Sequence, residues 1–245
     1  MFEELAGKVS SLFGGEALDW AATGEVSGQH RGDVVVDKLC VQFLTSAGLS
    51  VYSEESGLTS ARGNDSMVVV LDPVDGSTNA SRGLPLFVLS CALIEDGTLL
   101  AGYVHELTNQ ACYWAIRGQG AHFPSSPRQA SRVSKELSRS VVAVNGYPKA
   151  HLGWGQFRAL GSAALELSMV ASGQLDAYVD CSRLGLAPWD YLGALAILRE
   201  AGCATDSLGS DLKPESEIFG PRRHIIAASS DTLLEQIRGA WSRSR

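Results

Sequence analysis

The sequence lacks most of the features that mark membrane, secreted or nucleic-acid-binding proteins. No run of about 18 apolar residues occurs in the 245-residue chain, so no transmembrane helix is predicted. Lysine and arginine total 20 against 27 aspartates and glutamates, which gives a net charge of −7. Because nucleic-acid binding favours a basic face, this balance argues against nucleic acid as the main partner. The first residues also lack the basic start and apolar core of a secretion signal, so we expect a cytoplasmic protein without membrane contact.

Cysteine and histidine are equally scarce, with five of each. The cysteines form no Cys-x-x-Cys pair, and several lie inside apolar runs, which is typical of reduced core residues. The histidines show no metal-ligand spacing. The sequence therefore predicts neither disulfides nor a zinc site.

The most informative segment is Asp-Pro-Val-Asp-Gly-Ser-Thr-Asn at 72–79, directly after the apolar run 67–71. That run predicts a buried strand, and we expect Pro73 to end its hydrogen-bond ladder. Asp72 and Asp75 would then lie at a strand end, which is costly unless cations separate the two carboxylates. The glycine and hydroxyl residues that follow supply donors for an anion. Ordinary turn chemistry is one interpretation, and metal-assisted hydrolysis of a phosphate ester is the other.

Two further acidic segments favour the second interpretation. Glu54 and another glutamate follow the alternating segment 49–52, which predicts a short strand. Asp190 opens a predicted helix at 189–201, which Pro188 precedes. Taken alone, the pair of glutamates is typical of a solvated loop. An aspartate in the first turn of a helix is often explained by its favourable interaction with the helix dipole.

Together and in this order, the three segments resemble the inositol monophosphatase family of lithium-sensitive, magnesium-dependent phosphatases, which includes fructose-1,6-bisphosphatases. The resemblance runs from about residue 33 to about residue 229, and its most specific part is 72–79. It implies a layered αβαβα sandwich of α and β structure, with the site between two halves. The haloacid dehalogenase phosphatases fit less well, because one residue separates their motif aspartates and two separate Asp72 from Asp75.

The resemblance implies a role for each acidic residue. A first metal ion would bind Glu54, Asp72 and the backbone carbonyl of Val74. Asp72 would bridge to a second ion, held also by Asp75 and Asp190, and a third, looser ion would lie near Glu54. Oxygen ligands suit Mg²⁺, with Mn²⁺ as an alternative and Li⁺ or Ca²⁺ as inhibitors. One ion would acidify the attacking water and another would neutralise the leaving alkoxide, without a covalent phosphoenzyme.

The resemblance also implies which groups would handle the water and the phosphate. Ser77 stands where the family usually has a threonine, and its hydroxyl would orient the water together with an upstream aspartate. We assign that aspartate to Asp37, although the surrounding segment lacks the family's usual threonine and has a shorter aspartate spacing. The backbone donors of Gly76 and Ser77 would bind the phosphate.

Implied substrate contacts lie in the second half of the chain. Ser162 and Ala163 begin a predicted helix at 162–172 and would meet substrate hydroxyls, unless Ser162 only caps the helix. Asp180 stands where the family often has a glutamate that binds sugar or inositol hydroxyls. The longer connection after it carries Arg183, whose guanidinium matches a second phosphate, with simple solvation as the alternative.

The remaining pattern predicts two units around this site. Residues 1–127 would form an N-terminal α+β domain with most metal ligands, and residues 128–245 a C-terminal α/β domain with the last ligand and the substrate contacts. Segment 124–128 is the expected junction, and Asp96-Gly97 predicts a hairpin. Helices are expected at 2–13, 33–48, 162–172, 189–201 and 231–241, and strands at 67–71, 86–94, 98–106, 110–116, 140–145, 175–180 and 223–229.

Two functions from different classes stay open. One is a Mg²⁺-dependent phosphomonoesterase acting on a small polyol or sugar phosphate, with inositol-1-phosphate favoured. Its alternative substrates are fructose 1,6-bisphosphate, histidinol phosphate, adenosine 3′,5′-bisphosphate and NADP. The other is a non-catalytic partner-binding module of the same fold, although idle buried carboxylates would cost stability. The resemblance also favours a homodimer.

Overall fold

The computed structural model describes residues 1–13, 18–21, 30–61, 66–124, 136–207 and 218–243. Its helices are α1 (Phe2–Phe13), α2 (Arg31–Ser46), α3 (Ser77–Ser81), α4 (Ala163–Ser172), α5 (Pro188–Glu200) and α6 (Asp231–Arg243), with a 3₁₀ turn at Leu137–Arg139. Its strands are β1 (Ser50–Ser53), β2 (Gly57–Thr59), β3 (Met67–Asp75), β4 (Val88–Glu95), β5 (Thr98–Glu106), β6 (Cys112–Ile116), β7 (Ala121–His122), β8 (Val141–Gly146), β9 (Gln156–Arg158), β10 (Ala177–Cys181), β11 (Ala204–Ser207) and β12 (Ile225–Ala228).

The strands of these described segments form two sheets. The first has the order β2-β1-β3-β4-β5-β6-β7, and the second has the order β11-β12-β10-β8-β9. In the first sheet β1 runs parallel to β3, and the other neighbours are antiparallel. In the second sheet β8 is parallel to β9 and β10, and β12 is antiparallel to β10 and β11.

Three apolar clusters join helices and sheets into five layers. Along β3, Val69 and Leu71 pack in the cluster beneath α1 and α2, whereas Val70 points into the central cluster with α4 and α5. This alternation is the period of a strand that is covered on both faces. The central cluster continues into the second sheet, and α6 covers the far side of that sheet through Leu233 and Ile237. The predicted αβαβα sandwich is thereby confirmed.

Pro73 does not end the ladder of β3, so that prediction is wrong. The strand continues to Asp75, and its pairing with β4 shifts between Asp72, opposite Ser90, and Asp75, opposite Val88. Two residues of β3 thus face one residue of β4, which is a β-bulge, a place where a strand tolerates proline. In a regular strand, side chains three positions apart point to opposite faces. The extra residue of the bulge brings Asp72 and Asp75 toward the same side.

Helix α5 lies unusually close to the first sheet. A Cβ atom on Gly102 of β5 would clash with the backbone oxygen of Gly193 on α5, and one on Gly193 would lie 2.8 Å from Ser90 Oγ. Only glycine permits this approach at both positions. The close packing carries the first turn of α5, with Asp190, to the end of β3.

The long predicted elements are all present, with ends displaced by a few residues. Helix α2, for example, covers Arg31–Ser46 rather than 33–48. The predicted turn at Asp96-Gly97 has φ of 48° and 74°, as a two-residue hairpin between β4 and β5 requires. Most of the expected junction at 124–128 lies outside the described residues, so the division into two domains stays a prediction. No helix in the described part of the chain is long and apolar enough to cross a bilayer.

Candidate metal centre and active site

Three acidic side chains from distant parts of the chain meet at one point. Glu54, Asp72 and Asp190 each offer a carboxylate oxygen, and these oxygens all lie within 4.8 Å of one another. Glu54 directly follows β1, Asp72 lies in β3 before the bulge, and Asp190 lies in the first turn of α5. The parallel pairing of β1 with β3 and the close approach of α5 account for this convergence.

Asp75 lies beside this group and joins it to α4. Its Oδ2 atom accepts hydrogen bonds from Ser162 Oγ and from the backbone N–H of Ala164, both at 2.7 Å. Ser162 stands at the N-cap position of α4, but its hydroxyl makes no capping hydrogen bond and donates instead across the interface between the first sheet and α4. Ala163 is the first residue of α4 and is buried next to this contact.

Burial raises the pKa of all four carboxyl groups, and repulsion from neighbouring carboxylates adds to this shift at Glu54, Asp72 and Asp190. Asp72 is only 2% exposed, and burial together with Glu54 and Asp75 holds its pKa well above the usual range. Loss of hydration and the nearby Asp190 raise the pKa of Glu54 to about 8. Burial, followed by repulsion from Asp75, raises the pKa of Asp190 to about 7, and burial raises that of Asp75 to about 6.

These residues fit a hard divalent cation. The atoms that would bind the metal are all carboxylate oxygens, and the group contains no histidine or cysteine. Such ligands suit Mg²⁺, Mn²⁺ or Ca²⁺. Val74, predicted to offer its carbonyl, is buried in the bulge, and its N–H donates to Asp72 Oδ1 at 3.0 Å. A bound cation would offset the repulsion that raises these pKa values.

Arg222 is a cationic neighbour of this group that we did not predict. Its Nη1 atom lies 3.7 Å from Asp190 Oδ2, which also accepts a hydrogen bond from the N–H of Ala187 at 2.7 Å. The arginine precedes β12 and is about 30 residues from Asp190 in the chain, so no local pattern links the two.

Ser77 and Asp37 were predicted to orient the attacking water together, and the structure shows where each of them lies. Ser77 begins α3, directly after Gly76, whose φ is 96°. Asp37 is buried on α2, and its Oδ1 accepts a hydrogen bond from Ser53 Oγ at 2.5 Å. Because Ser53 directly precedes Glu54, this hydrogen bond links Asp37 to the end of β1 that carries Glu54. A joint action of Asp37 and Ser77 stays a prediction.

The connection before α4 is held by a clamp of two buried side chains, Asn79 and Glu166. Asn79 Nδ2 donates to the carbonyls of Leu86 and Leu160, both at 2.7 Å. Glu166 Oε1 accepts the N–H of Leu160 at 2.6 Å. Both backbone polar groups of Leu160, its N–H and its carbonyl, are thus hydrogen-bonded to the clamp, two residues before Ser162. Asn79 belongs to the recognised motif, whereas Glu166 is indistinguishable in sequence from a surface residue of a helix.

Asp180 is fully buried and already has protein partners. Its Oδ1 accepts hydrogen bonds from Asn145 Nδ2 and from the N–H of Ser182, both at 3.0 Å. Its Oδ2 lies 3.0 Å from His224 Nδ1. A direct role of Asp180 in binding substrate hydroxyls stays a prediction.

Arg183 lies on the rim of a basic cavity of about 780 Å³. Lys149 and His224 line the same cavity, and His224 is the partner of Asp180. Three groups that are cationic or can be protonated thus face one space, next to a residue predicted to contact substrate.

Comparison with known proteins decides the family. The family model described as the inositol monophosphatase family matches residues 22–244. The chain belongs to the inositol monophosphatase family. The fructose-1,6-bisphosphatase/inositol-1-monophosphatase of Thermococcus kodakarensis is 31% identical over 245 residues, which cover 96% of this chain and 92% of the relative. A solved structure from Pyrococcus horikoshii, described as similar to inositol-1 monophosphatase, has a TM-score of 0.79 at 26% identity and covers 98% of this chain and 97% of its own.

Membership in the inositol monophosphatase family establishes the class of reaction. The protein is a metal-dependent phosphoric monoester hydrolase that acts on sugar or polyol phosphates, as the resemblance implied. The Nus factor SuhB of Escherichia coli is also 32% identical over 212 residues, covering 79% of this chain and 77% of that protein. The absence of a nucleic-acid partner therefore stays a prediction.

Proposed function

We propose that the protein is a Mg²⁺-dependent phosphatase whose preferred substrate is inositol-1-phosphate. The convergence of Glu54, Asp72 and Asp190 oxygens within 4.8 Å, with Asp75 alongside, carries this proposal. Mg²⁺ is the favoured ion because it binds a few carboxylates and keeps several waters. Mn²⁺ would serve as a substitute, with Li⁺ or Ca²⁺ as inhibitors.

Each residue has a proposed task. The four carboxylates and the Val74 carbonyl would hold two or three ions. When bound, the ions supply Lewis acidity to the phosphate and to a water. The Ser77 hydroxyl would orient that water, and Asp37 would accept its proton. The N–H groups of Gly76 and Ser77 would donate to phosphate oxygens.

The organic part of the substrate would bind to the second half of the chain. Ala163 and Ser162 at the start of α4 and Asp180 at the end of β10 would face its hydroxyl groups. An ionised carboxylate can only accept hydrogen bonds, and it has room for about four. Asp180 already has three polar partners, so we expect it to accept one further bond from a substrate hydroxyl.

The test is phosphate release from inositol-1-phosphate, with and without Mg²⁺, in the wild type and in Asp75→Asn. Losing a ligand of a catalytic ion removes several kcal/mol of transition-state stabilisation, so we expect a fall in kcat/KM of about 100-fold or more. Asp231→Asn at the exposed start of α6 is the matched control, with unchanged turnover. Normal turnover in Asp75→Asn would refute the metal role, and a wild type inactive on every ester would favour a non-catalytic module.

Fructose 1,6-bisphosphate is a second candidate substrate. The cavity lined by Arg183, Lys149 and His224 would hold its other phosphate, because guanidinium and ammonium groups bind phosphate oxygens. The name of the Thermococcus kodakarensis relative includes both activities. The candidates would be ranked by measuring kcat/KM for five compounds: inositol-1-phosphate, fructose 1,6-bisphosphate, histidinol phosphate, adenosine 3′,5′-bisphosphate and NADP.

We also propose a cytoplasmic homodimer without a membrane or nucleic-acid partner. All five cysteines are free thiols, which suits a reducing compartment. Sedimentation at several protein concentrations tests the dimer, and a nucleic-acid binding assay at low salt tests the absence of that partner.

A further inference from the structure

One arginine supplies a positive charge to the candidate metal centre. Arg222 Nη1 lies 3.7 Å from Asp190 Oδ2 and donates a hydrogen bond of 3.3 Å to the carbonyl oxygen of Gly185. Within the described part of the chain, no other side-chain cation forms an ion pair with any of the four carboxylates. The proposed hydrolysis gives this arginine no task.

The backbone fixes the position of Arg222. Leu186 and Arg223 exchange two N–H···O hydrogen bonds of 2.8 Å, which join the connection before α5 to the segment before β12. Gly185 has φ of 80°, and a Cβ atom on it would lie 2.8 Å from the backbone of Arg223. Main-chain contacts therefore hold Arg222 at the border of the metal centre, whether or not its own ion pair forms.

The contact between Arg222 and Asp190 is one of charge. A separation of 3.7 Å is too long for a hydrogen bond but within the range of an ion pair. The N–H of Ala187 orients Asp190 instead, because it donates to Oδ2 at 2.7 Å. Loss of the Arg222 side chain would thus leave the carboxylate oriented and remove only a positive charge.

A cation beside a metal ligand has two opposite effects. In the metal-free protein it offsets the repulsion among the buried carboxylates, which stabilises the fold. When a divalent ion is bound, the same guanidinium lies near a second positive charge, and like charges repel. The carbonyl of Gly185 gives Arg222 a partner other than a carboxylate, and the side chain, 47% exposed, has room toward solvent.

We propose that Arg222 is an internal counter-ion of the metal centre, which pairs with Asp190 in the metal-free protein and is displaced from it when a divalent cation binds. Arg222 therefore stabilises the metal-free fold and weakens the binding of the ion. The inference rests on the metal role of Asp190 in the proposed function, and it does not depend on the identity of the substrate.

Two measurements on the whole chain test this inference, at low ionic strength, where exposed ion pairs are least screened. Thermal unfolding without metal gives Tm, and calorimetric titration with Mg²⁺ gives the affinity, both in the absence of substrate. In Arg222→Gln we expect Tm to fall by about 1–3 °C and Mg²⁺ to bind about 3- to 5-fold more tightly. Arg222→Lys keeps the positive charge and should stay close to the wild type in both measurements.

Arg238→Gln is the matched control, because it removes the same charge from an arginine of nearly equal exposure, 49% against 47%. Arg238 lies on α6 and pairs with Asp206 and Glu235, away from the metal centre. Its loss should lower Tm by a similar amount and leave the Mg²⁺ affinity at the wild-type value. A gain in affinity confined to Arg222→Gln then comes from the position of the charge and not from the net charge.

The two effects of Arg222→Gln must run in opposite directions. A residue that only orients a metal ligand lowers both stability and affinity when it is lost, so weaker or unchanged Mg²⁺ binding would overturn the inference. An unchanged Tm, or an equal gain in affinity in Arg238→Gln, would overturn it as well. A wild type that binds Mg²⁺ but hydrolyses no ester would refute the proposed function and leave this inference standing.

Discussion

Asp72 and Asp180 occupy similar places in the two sheets but have opposite surroundings. Each lies near the end of an interior strand, and their exposed fractions are 2% and 0%. Asp180 is enclosed by Asn145, the Ser182 N–H and His224, all of which can donate hydrogen bonds to it. Asp72 has one backbone donor, and its other main neighbours are carboxylates.

The difference separates an aspartate that the protein itself neutralises from one that only a bound cation would neutralise. A carboxylate surrounded by donors is neutralised within the protein and contributes to stability. One surrounded by carboxylates is destabilising until a cation binds. If Asp72 is the metal ligand that we propose, binding of the cation would relieve the repulsion that this carboxylate meets in the metal-free protein.

The strongest test of this contrast is the pair Asp72→Asn and Asp180→Asn, studied by thermal unfolding without metal. We expect Asp72→Asn to raise Tm by about 2–4 °C, because it removes a repelled buried charge worth about 1 kcal/mol. Asp180→Asn should lower Tm by about 4 °C or more, because one of its donors loses a charged partner.

Activity provides the second half of the same test. Asp72→Asn should lose turnover by about 100-fold or more despite its higher stability, since it removes a predicted bridging ligand. If both variants changed Tm in the same direction, the contrast between the two aspartates would be lost.

A smaller effect should appear in the pH dependence of stability. The folded pKa values of Asp75, Asp190 and Glu54 are raised to about 6, 7 and 8, whereas an unfolded chain has carboxyl pKa values near 4. The stability tied to these protons is therefore complete below about pH 4 and is lost as the pH rises through 6 to 8.

Mg²⁺ should cancel this loss, because a bound cation favours the ionised carboxylates. The difference in Tm between protein with and without Mg²⁺ should accordingly grow from pH 5 to pH 8 in scanning calorimetry. A difference that is constant with pH would show that the cluster does not bind the ion.

The smallest effect concerns the Asn79–Glu166 clamp. Glu166→Leu removes the acceptor for the Leu160 N–H and should loosen Ser162 from Asp75. Because partners of metal ligands commonly contribute 10-fold or more to affinity, we expect Mg²⁺ binding to weaken about 10-fold.

Glu166→Gln is the matched control for this variant, since its amide oxygen can still accept the Leu160 N–H. Calorimetric titration with Mg²⁺ should give it an affinity near that of the wild type. Equal weakening in both variants would mean that charge, and not the hydrogen bond, matters at this position.

Much of the architecture could be predicted because long apolar periods are local properties. The helices at 2–13 and 189–201 and the hairpin at Asp96-Gly97 follow from spacing and turn chemistry, which neighbours in sequence determine. Short elements such as β2, β9 and β11 were not predicted, because each contains a single apolar residue and therefore shows no alternation. Pro73 was misjudged because its compatibility with β3 depends on the bulge formed against β4.

The four acidic residues were recognisable in the sequence because they lie in motif segments, each at the end of an apolar element. The groups that surround these four residues in the folded protein could not be recognised in the sequence. Arg222 and Glu166 approach the site from other segments, and Ser53, next to Glu54, bonds to Asp37 on α2. Asp180 and Asp72 look alike in the sequence until their neighbours are known.

The sequence by itself determined the long strands and helices, the oxygen-rich set of candidate ligands and the family to which the chain belongs. Tertiary structure alone decided which carboxylates are surrounded mainly by other carboxylates, because burial and partners arise only when β1, β3, α4 and α5 meet. The physical reason is that hydrophobic periodicity is encoded along the chain, whereas the electrostatic environment of a charge is set across space.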